Sequence, residues 1–240
     1  MTSAAPEPAN PELSAVPSVA GLLANYAASP EHYDELHGQA ASAAPESGAP
    51  VPAAPAWRRF FDTLANERAA ELTQRSASLA RQIRDNGIPY NVYADENGPQ
   101  RPWSLNLFPL LIESDEWQHI QAGVLQRMHL LEHVMADVYG QQQLLQSGFL
   151  PAALIQGHPG YLRAMHQVMP AGARYLHLVA FDLARGPDGN WWLVGQRTQA
   201  PSGLGYLLEN RLIVSRQFPK AFEGFPVQRL AETYRTLIDG

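Results

Sequence analysis

The sequence predicts an α+β fold in which an N-terminal helical region precedes a mixed or antiparallel sheet containing a β-hairpin. Two observations predict the helices: apolar residues recur at helical spacing over residues 57–86 and again over residues 114–140. A third predicts the hairpin, because residues 175–198 contain two β-rich runs around a Pro-Asp-Gly turn. The chain has 240 residues, 45% of them hydrophobic, which suffices for one sizeable core. We expect one globular unit from about residue 57.

Three segments precede that unit. Residues 1–17 are rich in Ala, Pro and Glu and predict a disordered N-terminus. Residues 18–38 predict a short helical segment of one or two helices, because their apolar residues are spaced as on a helix. Residues 39–56 are a low-complexity Ala/Pro stretch, which indicates a linker or a long exposed loop.

The next segments are mostly helical. A helix pair over residues 57–86 ends at Gly87, and residues 88–94 predict a short strand. Ser114 is a suitable N-cap for a long helix that ends at Gly140. His129 and His133 on this helix have the four-residue spacing of metalloprotease ligands, but the residues between them do not form His-Glu-x-x-His. An exposed polar face explains them better.

Shorter elements follow. Residues 141–147 predict a helical turn ended by Gly148, and a second segment starts at Pro151. The Gly-His-Pro-Gly sequence at residues 157–160 predicts a tight turn. Near the C-terminus, residues 218–224 are loop-like and residues 230–238 predict a terminal helix.

The predicted hairpin has strands at residues 175–184 and 190–198. Asp182 ends an otherwise apolar stripe on the first strand, because residues two apart share a strand face. A carboxylate there must be hydrogen-bonded, paired, solvated or bound to a metal. Capping of the turn is the simplest of these interpretations.

A glycine-rich stretch follows the hairpin. Ser202, Gly203 and Gly205 come after Pro201, and two glycines two apart permit close approach to a phosphate, although an ordinary turn has the same spacing. The apolar run at residues 206–215 predicts a third strand with Glu209, Asn210 and Arg211 in its middle. Three consecutive polar side chains in such a run require partners, and Glu with Asn suits Mg²⁺.

Three segments, Arg101–Leu111, Gly157–Arg163 and above all Gln199–Arg211, resemble the bacterial circularly permuted ATP-grasp type 2 proteins. The resemblance runs from about residue 20 to the end of the chain. It implies an ATP-grasp fold related to glutathionylspermidine synthetases, which use ATP and Mg²⁺ to activate a carboxylate as an acyl phosphate and transfer it to an amine. The implied substrates are a small carboxylate and an amine, or a peptide.

The resemblance also implies a set of site residues, although it identifies no catalytic residue. The metal candidates are Asp182, Glu209 and Asn210, and the nucleotide or acceptor candidates are Asp182, Arg197, Ser202, Gly203, Gly205, Glu209, Asn210, Arg211 and Arg163. We expect Asp182, Arg197 and Glu209 to converge on one cleft.

Two departures from the family pattern limit this expectation. Related proteins often carry metal ligands, Glu-x-Asn, where this chain has Gly195, Gln196 and Arg197. Arginine repels Mg²⁺ but can bind phosphate. Family members are also typically longer, so the chain resembles an N-terminal portion or a truncated member, and a second chain could supply the missing half. We therefore do not expect ligation by this chain alone, and a non-catalytic binding or scaffolding module is the alternative.

Composition excludes some other functions. The net charge is −6, and residues 1–56 hold six acidic residues and no Lys or Arg. The other 17 acidic residues are balanced by 17 basic ones, so no basic surface suggests nucleic-acid binding. The chain has no cysteine, and it has neither a signal peptide nor an apolar stretch that predicts a membrane span. A cytoplasmic location is the expectation.

Overall fold

The computed structural model of the protein describes residues 19–24, 26–40, 51–64, 69–87, 103–199 and 201–239. The helices of these residues are α1 Val19–Ala24, α2 Pro55–Asp62, α3 Ala69–Asp85, α4 Ser114–Tyr139, α5 Gln143–Gln146, α6 Ala152–Gln156, α7 Leu204–Gln217, α8 Pro219–Gly224 and α9 Ala231–Asp239. The strands are β1 Tyr33–Asp34, β2 Gln39–Ala40, β3 Ala180–Arg185 and β4 Trp191–Arg197, and short 3-10 turns lie at Arg163–Met165 and Ala171–Ala173.

The strands form two separate antiparallel pairs, β1 with β2 and β3 with β4. The α+β class and the hairpin are therefore confirmed. The third strand predicted at residues 206–215 is wrong, because those residues lie within α7. No mixed sheet occurs among the residues that the structure describes.

A helical core lies between α2, α3, α7 and α8. One buried cluster joins Phe60 and Leu72 to Val214 and Phe218, and the Phe60 and Phe218 rings are 5.1 Å apart. A second cluster joins α3 to the fully buried Ile213 of α7. The predicted helix pair at residues 57–86 is confirmed, and Gly87 follows α3 with a φ of +60°, a left-handed conformation that glycine adopts readily.

Helix α7 forms because its buried residues recur every three to four positions. Ile213, Val214 and Gln217 face the core, whereas a strand would alternate buried and exposed residues. The helix also has 14 residues, more than twice the length of a typical strand. The apolar run at residues 206–215 is compatible with both a strand and a helix, so it did not decide between them.

Helix α4 is confirmed over 26 residues, with Asp115 and Glu116 in its first turn. The N-cap position belongs to Glu113 rather than Ser114, and neither position contributes a side-chain cap. His129 and His133 are exposed, as expected. Near the other end, the carboxylate of Asp137 accepts hydrogen bonds from the backbone N–H groups of Gln143 and Leu144, both at 2.9 Å, and so fixes the start of α5.

The first strand of the hairpin is shorter than predicted, since β3 begins at Ala180 rather than Tyr175. The backbone N–H groups of Tyr175 and Leu176 donate to the two carboxylate oxygens of Glu132 on α4, at 2.6 and 2.9 Å. They are therefore not available to a neighbouring strand. The turn occupies residues 186–190, where Gly189 has a φ of +83°.

The N-terminal segment has one helix rather than two. Helix α1 is confirmed, but residues 33–40 form the small β1–β2 pair instead of a second helix. Asp34 explains this, because its carboxylate accepts the backbone N–H of His37 at 3.0 Å and its carbonyl accepts that of Gly38 at 2.8 Å, which closes a turn. Gln39 and Ala40 are in β2 and Pro55 starts α2, so the predicted linker is partly structured.

The remaining sequence predictions concern the N-terminal residues, the shorter elements and membrane spans. Residues 1–17, 41–50 and 88–94 lie outside the described residues. The short helices α5 and α6 and the terminal helix α9 are confirmed. The loop predicted at residues 218–224 is wrong, because Pro219 is favourable at a helix start and begins α8. In the described part of the chain, no helix is long and apolar enough to cross a membrane.

Candidate functional site

The N-terminus of α7 has the features of an anion-binding site. Gly203 precedes the helix with a φ of +121°, which favours glycine, and it contributes no side-chain cap. Its carbonyl accepts the backbone N–H of Leu207 at 2.9 Å. The N–H groups of Leu204 and Gly205 precede this bond in the first turn, where the positive end of the helix dipole lies. Such a terminus binds phosphate or carboxylate groups.

A cavity of about 310 Å³ opens at this terminus. It is lined by Gly203, Gly205, Tyr206 and Glu209. A Cβ atom placed on either glycine would meet no atom within 4 Å, so both positions leave open space above the backbone. The Tyr206 ring stacks on Trp103 with centroids 4.7 Å apart, which gives the cavity a rigid aromatic side. The glycine pair is thus the start of a helix rather than an isolated turn.

The three consecutive polar residues of α7 have separate partners. Glu209 accepts a hydrogen bond from the side-chain amide of Asn86, and Asn210 accepts one from Trp103 Nε1 at 3.0 Å. The Arg211 guanidinium lies 5.7 Å from the centre of the Phe222 ring, and burial lowers its pKa. The expectation that these residues need partners is confirmed. Their roles toward a nucleotide or Mg²⁺ stay predictions.

Asp182 pairs with Arg197 across the hairpin, with 2.7 Å between Asp182 Oδ1 and Arg197 Nη2. The two side chains are 47% and 60% exposed, so this pair is solvated. Gly195 lies opposite Asp182, and a Cβ atom there would come within 3.0 Å of the carboxylate. Glycine therefore leaves room for Asp182 to reach Arg197. Of the interpretations left open for Asp182, pairing is the observed one.

The turn cap comes from another residue, so the simplest interpretation of Asp182 is wrong. Asp188 accepts hydrogen bonds from the backbone N–H of Asn190 at 3.1 Å and from its side-chain amide at 2.6 Å. The hydrogen bond from the Asn190 side chain lowers the pKa of Asp188.

The predicted site residues divide between two places. Asp182 and Arg197 meet on the hairpin, whereas Glu209 contacts Asn86 at the end of α3. Among the described residues, no hydrogen bond or ion pair joins Glu209 to the hairpin pair. Arg163 lies elsewhere, where it donates to the backbone carbonyl of Gln156 at 3.3 Å.

Comparison with known proteins identifies the family. The sequence profile named circularly permuted ATP-grasp type 2 matches residues 109–240, which is more than half of the chain. This chain belongs to the circularly permuted ATP-grasp type 2 family. The matched residues include α4, the β3–β4 hairpin and the cavity at α7. Membership assigns an ATP-binding, ligase-like fold.

Several similar proteins are named as uncharacterized proteins. One from Mycobacterium tuberculosis is 33% identical over 177 residues, which cover 70% of this chain and 20% of the relative. One from Mycobacterium leprae is 32% identical over 69% of this chain and 29% of its own length, and one from Synechocystis is 30% identical over 59% and 30%. The chain spans a fifth to three tenths of the length of these relatives.

ATP-grasp proteins generally use ATP and Mg²⁺, and the described residues fit a phosphate group but not the metal. The α7 terminus fits a phosphate group, because the cavity opens at the first turn of the helix and its two glycines leave space above the backbone. The described residues do not fit Mg²⁺, since they contain no group of three or more His, Asp or Glu placed to hold a metal. Asp182 is paired with Arg197, and Glu209 accepts from Asn86.

An ion-pair cluster at Arg185 is a further part of the fold that the sequence reasoning missed. The guanidinium donates to Glu116 on α4 and to Glu35 at 2.8 Å, and it lies 4.6 Å from the ring centres of Tyr33 and Trp191. No local sequence pattern indicates this cluster, because Glu35 and Arg185 lie 150 residues apart. The cluster attaches the hairpin to α4 and to the segment after β1.

Proposed function

We propose that this chain contributes to an ATP-dependent carboxylate–amine ligase of the glutathionylspermidine synthetase type. The N-terminus of α7 would hold a phosphate group of the nucleotide or of the activated carboxylate. The observation that carries the proposal is the cavity at Gly203 and Gly205, which lies inside the family-matched residues and opens at the start of α7. The substrates would be a small-molecule carboxylate and an amine, or a peptide.

ATP supplies the phosphoryl group that turns a carboxylate into a better acceptor for the amine. The chain's own residues would bind and orient. The N–H groups of Leu204 and Gly205 would stabilise negative charge on phosphate oxygens without needing to deprotonate or move. Tyr206, whose ring stacks on Trp103, would contact a group bound in the cavity.

A complete site requires oxygen ligands beyond the described residues. The ion pair of Asp182 with Arg197 and the contact of Glu209 with Asn86 leave Mg²⁺ without a cluster of ligands in the described residues. We therefore propose that this chain is an N-terminal portion of a longer ligase or one half of a split one. The relatives are several times longer than the region they share with it.

Isothermal calorimetry with ATP, in the presence and absence of Mg²⁺, tests the proposal. We expect weak binding of ATP, and we expect Gly205→Ala to reduce it at least threefold because the methyl group enters the cavity. Alanine should also raise the stability of α7 by up to about 1 kcal/mol, so a loss of binding would not come from unfolding. Gly123→Ala on α4 is the matched control, since Gly123 likewise has no atom within 4 Å of an added Cβ.

The alternative is a non-catalytic binding or scaffolding module derived from the same fold. The observation that favours it is Arg197, a cation placed where related proteins often carry a metal ligand and neutralised here by Asp182. Absence of ATP binding with and without Mg²⁺ would support this module and would contradict the ligase proposal. Binding that appears only after a second polypeptide with the rest of the fold is added would identify a split ligase.

A further inference from the structure

We propose that residues 149–169 form a docking surface for a polypeptide partner that carries acidic side chains beside apolar ones. We call these residues the 149–169 surface. Six of the sixteen exposed large hydrophobic side chains in the described residues lie on it, namely Phe149, Leu154, Leu162, Met165, Val168 and Met169. Single exposed apolar residues are normal, but such a concentration marks an interaction site.

This surface is held in place by polar contacts with the C-terminal end of α4. The backbone N–H of Leu162 donates to the Tyr139 hydroxyl at 3.2 Å, and that of Gln167 donates to the Tyr139 carbonyl at 2.6 Å. His166 Nε2 lies 3.0 Å from the Gly140 carbonyl oxygen. The backbone is therefore fixed by bonds to α4 while apolar side chains remain in solvent. A fixed surface loses less entropy when a partner binds.

The large apolar side chains of the 149–169 surface are highly exposed to solvent. Phe149 is 81% exposed, Met169 71% and Leu154 66%. Covering such side chains removes apolar area from water and so favours binding of a partner. Methionine is also flexible and adapts to a partner's shape, which is typical of peptide-binding surfaces.

The charge of this region is opposite to that of the chain as a whole. Residues 138–181 contain no Asp or Glu, but they contain Arg163, Arg174 and three His, whereas the chain has a net charge of −6. The bond that Arg163 makes is to a neutral backbone carbonyl, so its charge is not neutralised by it. Acidic groups on a partner would be attracted to this region.

A polypeptide fits these observations better than a membrane surface. Stable attachment to an anionic membrane generally needs several closely spaced Lys or Arg, and the 149–169 surface has only Arg163. The longer relatives show that additional polypeptide accompanies this region in the family.

Selection of dodecapeptides from a random phage-displayed library on the immobilised 240-residue chain tests the proposal. We expect enriched peptides to combine Asp or Glu with large apolar residues. Synthetic versions labelled with fluorescein should bind in a fluorescence anisotropy titration. The double variant Leu154→Ser/Leu162→Ser should weaken binding at least tenfold and Arg163→Glu at least threefold. Leu125→Ser on α4 is the control, because Leu125 is also exposed but lies outside this surface.

Three outcomes would overturn the proposal. One is enrichment of no peptide above the level on beads without protein. Another is peptides whose binding is unchanged in Leu154→Ser/Leu162→Ser while circular dichroism shows that the variant is folded. The third is sedimentation of the chain with phosphatidylglycerol vesicles but no peptide binding, which would assign the surface to a membrane. ATP titration of the same double variant separates this proposal from the ligase proposal, since only the peptide should lose affinity.

Discussion

Arg185 connects three distant parts of the chain through one guanidinium group. Glu35 beside β1 and Glu116 on α4 both accept from it, and the rings of Tyr33 and Trp191 lie on either side. Its side chain is only 9% exposed. Arginine suits this position because a planar fork can bind two carboxylates while its faces contact aromatic rings, and lysine cannot do both.

We expect Arg185→Ala to lower the free energy of unfolding by about 3 kcal/mol. This is the lower end of the range for breaking a buried ion pair, because Glu35 and Glu116 keep some contact with water. Arg185→Lys should cost about 1 to 2 kcal/mol, since it retains the charge but loses the fork. Urea denaturation measures both. Arg216→Ala, at an exposed position of α7, should change stability by less than about 0.5 kcal/mol.

Glu35 should make stability depend on pH. Burial, the largest cause, raises the pKa of Glu35 above its ordinary value of 4.5, although Arg185 acts in the opposite direction. The folded state then holds a proton that the unfolded state has released, so the contribution of Glu35 to stability falls as the pH rises through the folded pKa. Glu35→Gln removes this titration. Its stability relative to wild type should therefore improve between pH 4 and pH 7 in urea denaturation, and an opposite slope would contradict the assignment.

Local patterns predicted some elements and residues correctly, and tertiary contacts decided the others. The turn at Pro187, Asp188 and Gly189 predicted the hairpin, and apolar residues at helical spacing predicted α4. Gly203 and Gly205 were also identified from the sequence as a candidate phosphate site, although the helix that follows them was not predicted. No local pattern predicts the contact of Asn86 with Glu209, because 123 residues separate them and α3 must first pack on α7. The same holds for Arg185 and Glu35, which are 150 residues apart.

At the scale of elements, Glu132 attaches the hairpin to α4. Its two carboxylate oxygens accept the backbone N–H groups of Tyr175 and Leu176, and Leu176 is buried. Nothing in the local sequence indicates this contact, because 43 residues separate Glu132 from Tyr175. One side chain thus determines where the first strand of the hairpin can begin.

Glu132→Ala should destabilise the protein by about 2 kcal/mol, because two backbone donors lose a charged acceptor in a half-buried position. Hydrogen exchange by mass spectrometry should show faster exchange in peptides that contain residues 175–176. His133→Ala, at the adjacent exposed position, should leave both stability and exchange unchanged. Equal effects of the two variants would show that the helix face, rather than the carboxylate, holds the hairpin.

At the scale of the whole molecule, apolar burial is unevenly distributed. Among the described residues, ten of the fourteen buried hydrophobic residues lie in or next to α2, α3, α7 and α8, whereas α4 and the segment leading into the hairpin contribute Ile120, Val138 and Leu176. A two-stranded hairpin is marginally stable by itself. The hairpin therefore depends on polar links such as Arg185 and Glu132, and the helical core depends on packing.

This difference predicts two levels of protection against hydrogen exchange. Amides of α3 and α7 should exchange most slowly, and those of β3 and β4 should exchange through a local opening of lower free energy. Ile213→Ala, which leaves a cavity at a fully buried position, should lower global stability by about 3 kcal/mol and speed exchange in α3 and α7 while leaving the hairpin unchanged. Arg185→Ala, by contrast, should speed exchange in β3 and β4. If each variant instead accelerated exchange equally in both regions, the hairpin and the helical core would unfold together, and the hairpin's dependence on polar links would be refuted.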